Sequence, residues 1–225
     1  MLVYCIETMA QIPLLGGVPE TASDAFRILQ QNRVVGLLRL DFPTMLAMPI
    51  YYLLLLSLWG VLKQTSDVSA TLGTALGFAG NTLILATPTA LPMLSLSNRY
   101  AAAATNEMKL QLLSAGDAIL ASDIWHGTGA LIGGVLLQTG VLVMCIVMLR
   151  SEFFGKITAW VGILAFGLDL AHIFVKPLST NAGVILMATA GPFYPVWFFL
   201  VARRLLQSSR KREQDSVKQV SSLSA

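Results

Sequence analysis

An all-α integral membrane bundle of about five transmembrane helices, with one further helix at the interface, is the fold class that three observations predict. Of 225 residues, 55% are hydrophobic and only 12% charged, against roughly 45–50% and 25% in a soluble domain. The mean hydropathy is +0.70. Five segments, 42–62, 68–94, 124–149, 157–175 and 182–202, carry the roughly 20 mostly apolar residues that a membrane-crossing helix needs.

The chain opens with MLVYCIETMAQIPLLGGVP, which lacks a basic start, is interrupted by Glu7, Gln11 and Pro13, and continues into the polar ETASDAFRILQQNR. Neither a signal peptide nor a sixth span fits this pattern. Residues 1–33 are therefore expected to be peripheral or loosely ordered, ahead of a transmembrane domain at 34–204. Proline pairs interrupt three of the spans: Pro43 and Pro49, Pro88 and Pro92, Pro192 and Pro195. Each proline frees a carbonyl that needs a partner, and Thr87 and Thr89 beside Pro88 could supply hydroxyls. Between the second and third spans, SNRYAAAATNEMKLQLLSAGDAILAS is Ala-rich with polar ends, which predicts an interfacial helix running into the third span. Residues 205–225 form a basic, Ser-rich tail expected to be solvated and disordered.

Five spans put Lys63, Arg150, Lys156, Arg203, Arg204, Arg210, Lys211, Arg212 and Lys218 on one side, and Arg27, Arg33, Arg39, Arg99, Lys109 and Lys176 on the other. Cytoplasmic loops retain more basic residues, so the tail is expected inside and the N-terminus outside. Trp59 and Trp160 fall near inner ends and Trp125 near an outer end, where an aromatic belt would hold them. The net charge of +3 then serves topology and anionic lipid headgroups at the tail, and no nucleic-acid partner is implied. Cys5 and Cys145 are too far apart in this layout for a disulfide. No Walker loop, G-x-S-x-G elbow, C-x-x-C pair or N-x-S/T sequon occurs, and no cofactor is implied.

The runs ILQQNRVVGLLRLDFPTMLAMPIYYLLL, LSNRYAAAATNEMKLQLLSAGDAILASDIWHGTGALIGG and VMLRSEFFGKITAWVGILAFGLDLAHIF resemble a family of small prokaryotic multi-pass membrane proteins that carry a domain of unknown function. The likeness covers about Ala25 to Arg204. It implies a prokaryotic cytoplasmic membrane and no particular activity. Members of that family usually have a further N-terminal span, which the span count here does not include.

The polar residues inside the apolar segments are the candidates for function. Counting about 1.5 Å of rise per residue from the inner ends puts Asn81, Gln138, Asp169 and His172 in one layer at about 18 to 24 Å. The same count places Lys176, Asp41, Arg39, His126 and Asp123 at about 30 to 40 Å, at or beyond the outer interface of a hydrocarbon core about 30 Å thick. The outer residues can reach water or balance one another in sign, which is a structural use. Asp169 is different, because an ionised carboxylate within a span costs about 2.5–3.5 kcal/mol and must be neutral, paired or wet.

Asp169, His172 and Lys176 stand at i, i+3 and i+7 and share one helical stripe. For a hairpin of the third and fourth spans, equal depth sets Asp169 against Gln138 or Leu137, and His172 against Gly134. The Gly133 and Gly134 positions leave room for the imidazole or permit close packing. Gly129-x-x-x-Gly133 and Gly73-x-x-x-Gly77 read as small-residue contact faces. Two D-x-x-H pairs, Asp123/His126 and Asp169/His172, could supply four zinc ligands, but the two histidines differ in depth by about 12 Å. No metal is favoured on that ground.

Three functional readings follow. The first is an outward-facing polar pocket at Asp169 and His172, with Gln138, Asn81 and Lys176, for proton exchange or a small ligand. The second is a structural or partner membrane protein whose polar stripe is a pairing device. The third is an intramembrane metal-dependent hydrolase using both D-x-x-H pairs. Enzymatic activity is not the favoured expectation.

Overall fold

The computed structural model describes residues 16–124 and 126–223, with side chains as far as residue 208. Among them ten helices and no strand are found: α1 (Ala22–Gln31), α2 (Arg33–Arg39), α3 (Phe42–Leu62), α4 (Asp67–Leu85), α5 (Ala90–Ala102), α6 (Asn106–Leu120), α7 (Thr128–Met148), α8 (Lys156–Val175), α9 (Thr180–Ala190) and α10 (Phe193–Leu223). Five helical stretches are long and apolar enough to cross a membrane: Phe42–Leu62, Asp67–Ala102, Thr128–Met148, Lys156–Val175 and Thr180–Ser208. The expectations for residues 1–15, including Cys5, and for Trp125 lie outside the described residues.

The long helices run up and down with sequential neighbours packed together: α3 on α4, α4 on α7, α7 on α8, and α8 on both α9 and α10. Their shared core holds Leu55, Leu58 and Leu62 of α3, Met144, Cys145 and Met148 of α7, Phe166 of α8, and Trp197 and Val201 of α10. The α4/α7 seam is the tightest. A Cβ at Gly73 would meet Gly140 O at 2.8 Å, and one at Gly133 would meet Gly80 O at 2.9 Å, so these helices touch backbone to backbone. Gly73 and Gly77 of α4 do form a contact face. On α7 its glycine partner is Gly140, while Gly133 meets Gly80 further along and a Cβ at Gly129 would meet only Thr87 Cγ2, at 3.2 Å.

At one end, α1, α2, α5 and α6 build a separate cap whose core is Ala22, Ala25, Phe26 and Leu29 of α1 with Leu40, Ala90, Met93 and Leu120. The apolar residues of α1 recur at helical spacing, which makes one buried face. Thr21 caps the helix by accepting from Asp24 N at 3.2 Å. Asn32 ends α1 and starts α2, its side chain accepting from Val34 N and Val35 N. Residues 22–31, expected to be peripheral or loosely ordered, are thus an ordered helix whose face is buried in the cap.

Three further expectations are corrected. The helix expected at 97–122 is two helices, because the chain turns at 103–105 and Thr105 starts α6 by accepting from Met108 N. The second apolar stretch is broken rather than continuous: its first helix closes at Leu85, since Thr-Pro-Thr at 87–89 cannot continue it. The carbonyl of Ile84, to which Pro88 has no N–H to donate, accepts from Thr87 N at 3.1 Å and from the Thr87 hydroxyl at 2.8 Å. The tail continues α10 to Leu223, because no Gly or Pro interrupts it and Arg, Lys, Glu and Gln are good helix formers.

Candidate functional site

Asp169 lies in the last third of α8, half-buried, facing α7 and α10. Gln138 Nε2 of α7 and Tyr194 Oη of α10 both donate to Asp169 Oδ2, the hydroxyl at 2.8 Å. The Gln138 amide lies 3.1 Å from the Tyr194 oxygen, so the three side chains close a small network across three helices. Equal depth across the α7/α8 hairpin sets Gln138 against Asp169, and that contact exists. Tyr194 is the residue that sequence reasoning missed, since tyrosine is counted among the hydrophobic residues. Its one signal is the place it occupies, just after the Gly191-Pro192 interruption between α9 and α10. Phe166, one turn before Asp169, meets the Tyr194 ring edge-on at 5.0 Å and so fixes the direction of the hydroxyl.

The other members of the predicted layer, and Lys176 of the outer one, go elsewhere. His172 does not face Gly134, where a Cβ would instead meet Ile173 Cδ1 at 3.1 Å. Its Nδ1 lies 2.8 Å from the carbonyl of Gly183 on α9. Asn81 is fully buried and donates to Met48 O of α3 at 2.9 Å, while its amide oxygen has no partner. Lys176 ends α8, and its backbone packs so closely under Gly183 that a Cβ there would sit 2.8 Å from Lys176 Cα. The predicted layer therefore resolves into three separate contacts: Asp169 with α7 and α10, His172 with α9, and Asn81 of α4 with α3.

The outer polar residues are used for architecture rather than to balance one another. Arg39 donates to Gly17 O and Gly16 O at 2.7 and 2.8 Å. Asp41 precedes α3 but closes the start of α5, accepting from Thr89 N at 2.6 Å, Ala90 N at 2.8 Å and Thr89 Oγ1 at 3.0 Å. Asp123 accepts from His126 N at 2.8 Å and lies 2.9 Å from the exposed His126 ring. The two D-x-x-H pairs are not brought together, and among the described residues no three His, Cys, Asp or Glu side chains are grouped to hold a metal ion. The four-ligand zinc alternative has no geometric support in the fold.

A Tyr194→Phe substitution tests the network. It removes the hydroxyl and leaves Asp169 with Gln138 alone, for an expected loss of about 1.5–3 kcal/mol, the usual worth of a hydrogen bond to a charged group. Thermal unfolding in detergent measures it; a variant as stable as the parent would mean the hydroxyl holds nothing.

No family model, curated protein or solved structure matches the chain.

Proposed function

We propose that the chain is a five-span protein of a prokaryotic cytoplasmic membrane, with the cap outside, the basic tail inside against anionic lipid, and Asp169 as a protonatable centre between α7, α8 and α10. What supports the membrane reading is the five apolar helices, together with the nine basic residues at the tail end against six at the cap end.

The observation that carries the centre is the character of its partners. Within the five apolar stretches Asp169 is the only carboxylate away from a terminus. Neither ion pair seen among the described residues includes it. Among the described residues only neutral donors hydrogen-bond to it, both on Oδ2, and none reaches Oδ1. A carboxylate kept at such depth without a cation is costly, and such residues in spans mark proton or ion pathways. Tyr194 and Gln138 hold the group in place in either protonation state, since a phenol and an amide can each donate or accept.

The test is infrared spectroscopy of the full chain in liposomes as the pH is lowered. A carboxylic-acid carbonyl band should grow in, and it should be missing in Asp169→Asn. The same band in both proteins would remove Asp169 from the proton reading.

A second reading keeps the network as a structural clasp, and the observation favouring it is that it ties three helices at once. Under that reading Asp169→Asn is distinctly destabilised, by about 3–5 kcal/mol as for a broken buried pair. Under the proton reading the variant is as stable as the parent or more so, because a costly group kept for function is removed.

A further inference from the structure

His172 stands one helical turn beyond Asp169 toward the cap end, and residues three apart on a helix have Cβ atoms about 5–6 Å apart. Its Nδ1 is 2.8 Å from Gly183 O. A carbonyl oxygen only accepts, so Nδ1 carries the hydrogen and Nε2 of the neutral ring keeps its lone pair. Among the described residues no hydrogen bond reaches Nε2, just as none reaches Asp169 Oδ1. Two unspent acceptors thus stand on adjacent turns of one helix, both on half-buried side chains.

Gly183 is what makes this arrangement possible. It is buried, and a side chain there would collide with the Lys176 backbone, so only glycine lets the first turn of α9 lie close enough for its carbonyl to meet His172. The titratable or charged groups near His172 on the elements packed around it are few. They are Asp169 and Lys176 on α8 and Tyr194 on α10; Lys156 of α8, Arg203, Arg204 and the later charged residues of α10, and Cys145 of α7 against Gly162, lie toward the other end. α9 contributes none.

We propose that His172, locked as the Nδ1–H tautomer by the Gly183 carbonyl, relays the proton between Asp169 and the cap-side water through Nε2. The inference rests on Asp169 being the protonatable centre. In the outward direction the Asp169 Oδ1–H bond breaks and an Nε2–H bond forms, directly or across one water, leaving a carboxylate and an imidazolium. The imidazolium keeps its Nδ1–H on Gly183 and passes the Nε2 proton to water, returning to the neutral ring. One proton crosses and no electron moves. Uptake is the same path reversed.

The experiment is a pH jump on the full chain in liposomes, following the Asp169 carbonyl band in time, in the parent and in His172→Gln. Glutamine still donates an amide N–H to Gly183 O but carries no proton onward. The band should reach the same final height in both proteins and form about a hundredfold more slowly in His172→Gln, the low end of what a positioned proton-transfer side chain contributes. Equal rates overturn the relay and leave the Asp169 reading intact. A parent with no Asp169-dependent band overturns both. Nitrogen-15 NMR of labelled histidine gives the second readout, with His126→Gln used to assign the two rings; the neutral His172 ring should carry its hydrogen on Nδ1, and an Nε2–H ring would also overturn the relay.

Discussion

Gly80→Val should collapse the bundle. A Cβ at position 80 lands on backbone of α7, against Gly133 O at 2.5 Å and Leu137 Cα at 2.9 Å. Inserting a side chain into a packed seam usually costs roughly 1–3 kcal/mol, when a flexible neighbour can give way. Here the obstacles are main-chain atoms on a helix that is itself held by Gly73 and Gly77 further along. The expected cost is therefore above that range, read as loss of the cooperative thermal transition in detergent and early elution as aggregate. Gly167→Ala is the matched control, since nothing lies within 4 Å of a Cβ there. It should be neutral or gain up to about 1 kcal/mol from helix propensity. If Gly80→Val melts with the parent, the α4/α7 seam is not what holds these helices.

Asp41→Ala should release the cap while leaving the long helices packed. The carboxylate is buried, and two backbone N–H groups and a hydroxyl at the start of α5 point into it. Removing it leaves those donors buried without an acceptor, which costs more than the bonds themselves were worth. A lost helix cap alone costs about 0.5–2 kcal/mol, and with the stranded donors the expected total is about 3 kcal/mol. Limited proteolysis is the measurement: cleavage in the 86–105 region should rise well before the thermal transition of the long helices moves. Asp41→Asn, which keeps one acceptor oxygen, should fall between the two. Protection equal to that of the parent in Asp41→Ala would show that the apolar cap core holds α5 without the carboxylate.

Much of this architecture could be read from the chain because apolar length is a strong signal. The runs 42–62 and 157–175 agree with α3 and α8 to within a residue. The second run was read through to residue 94 because Ala90, Leu91 and Met93 continue its hydropathy past Thr-Pro-Thr, although those residues belong to the cap. The Gln138–Asp169 contact was legible for a geometric reason: a short turn joins α7 to α8, so depth along one fixes depth along the other. Tyr194 was not, because the Gly191-Pro192 interruption decouples the rotation of α10 from its position in sequence. The partner of His172 and the role of Asp41 were invisible for a shared reason. Each meets a backbone group of another helix, and a backbone carbonyl or N–H leaves no mark in the identity of the residue that presents it.

The hydrogen bond from Ala22 N to Asp117 Oδ1, 2.7 Å long, joins positions 95 residues apart. At about 5–20 residues per second, a ribosome needs about 5 to 20 s to make the second partner after the first. During that interval two apolar helices are synthesised, and the buried face of α1, with Phe26 and Leu29, gains Ala90, Met93 and Tyr100 of α5 only after both are made. The cap is therefore late in assembly although half of it comes first in sequence. Anything that slows synthesis between Arg33 and Asp117 lengthens the time for which that greasy face is open to other chains.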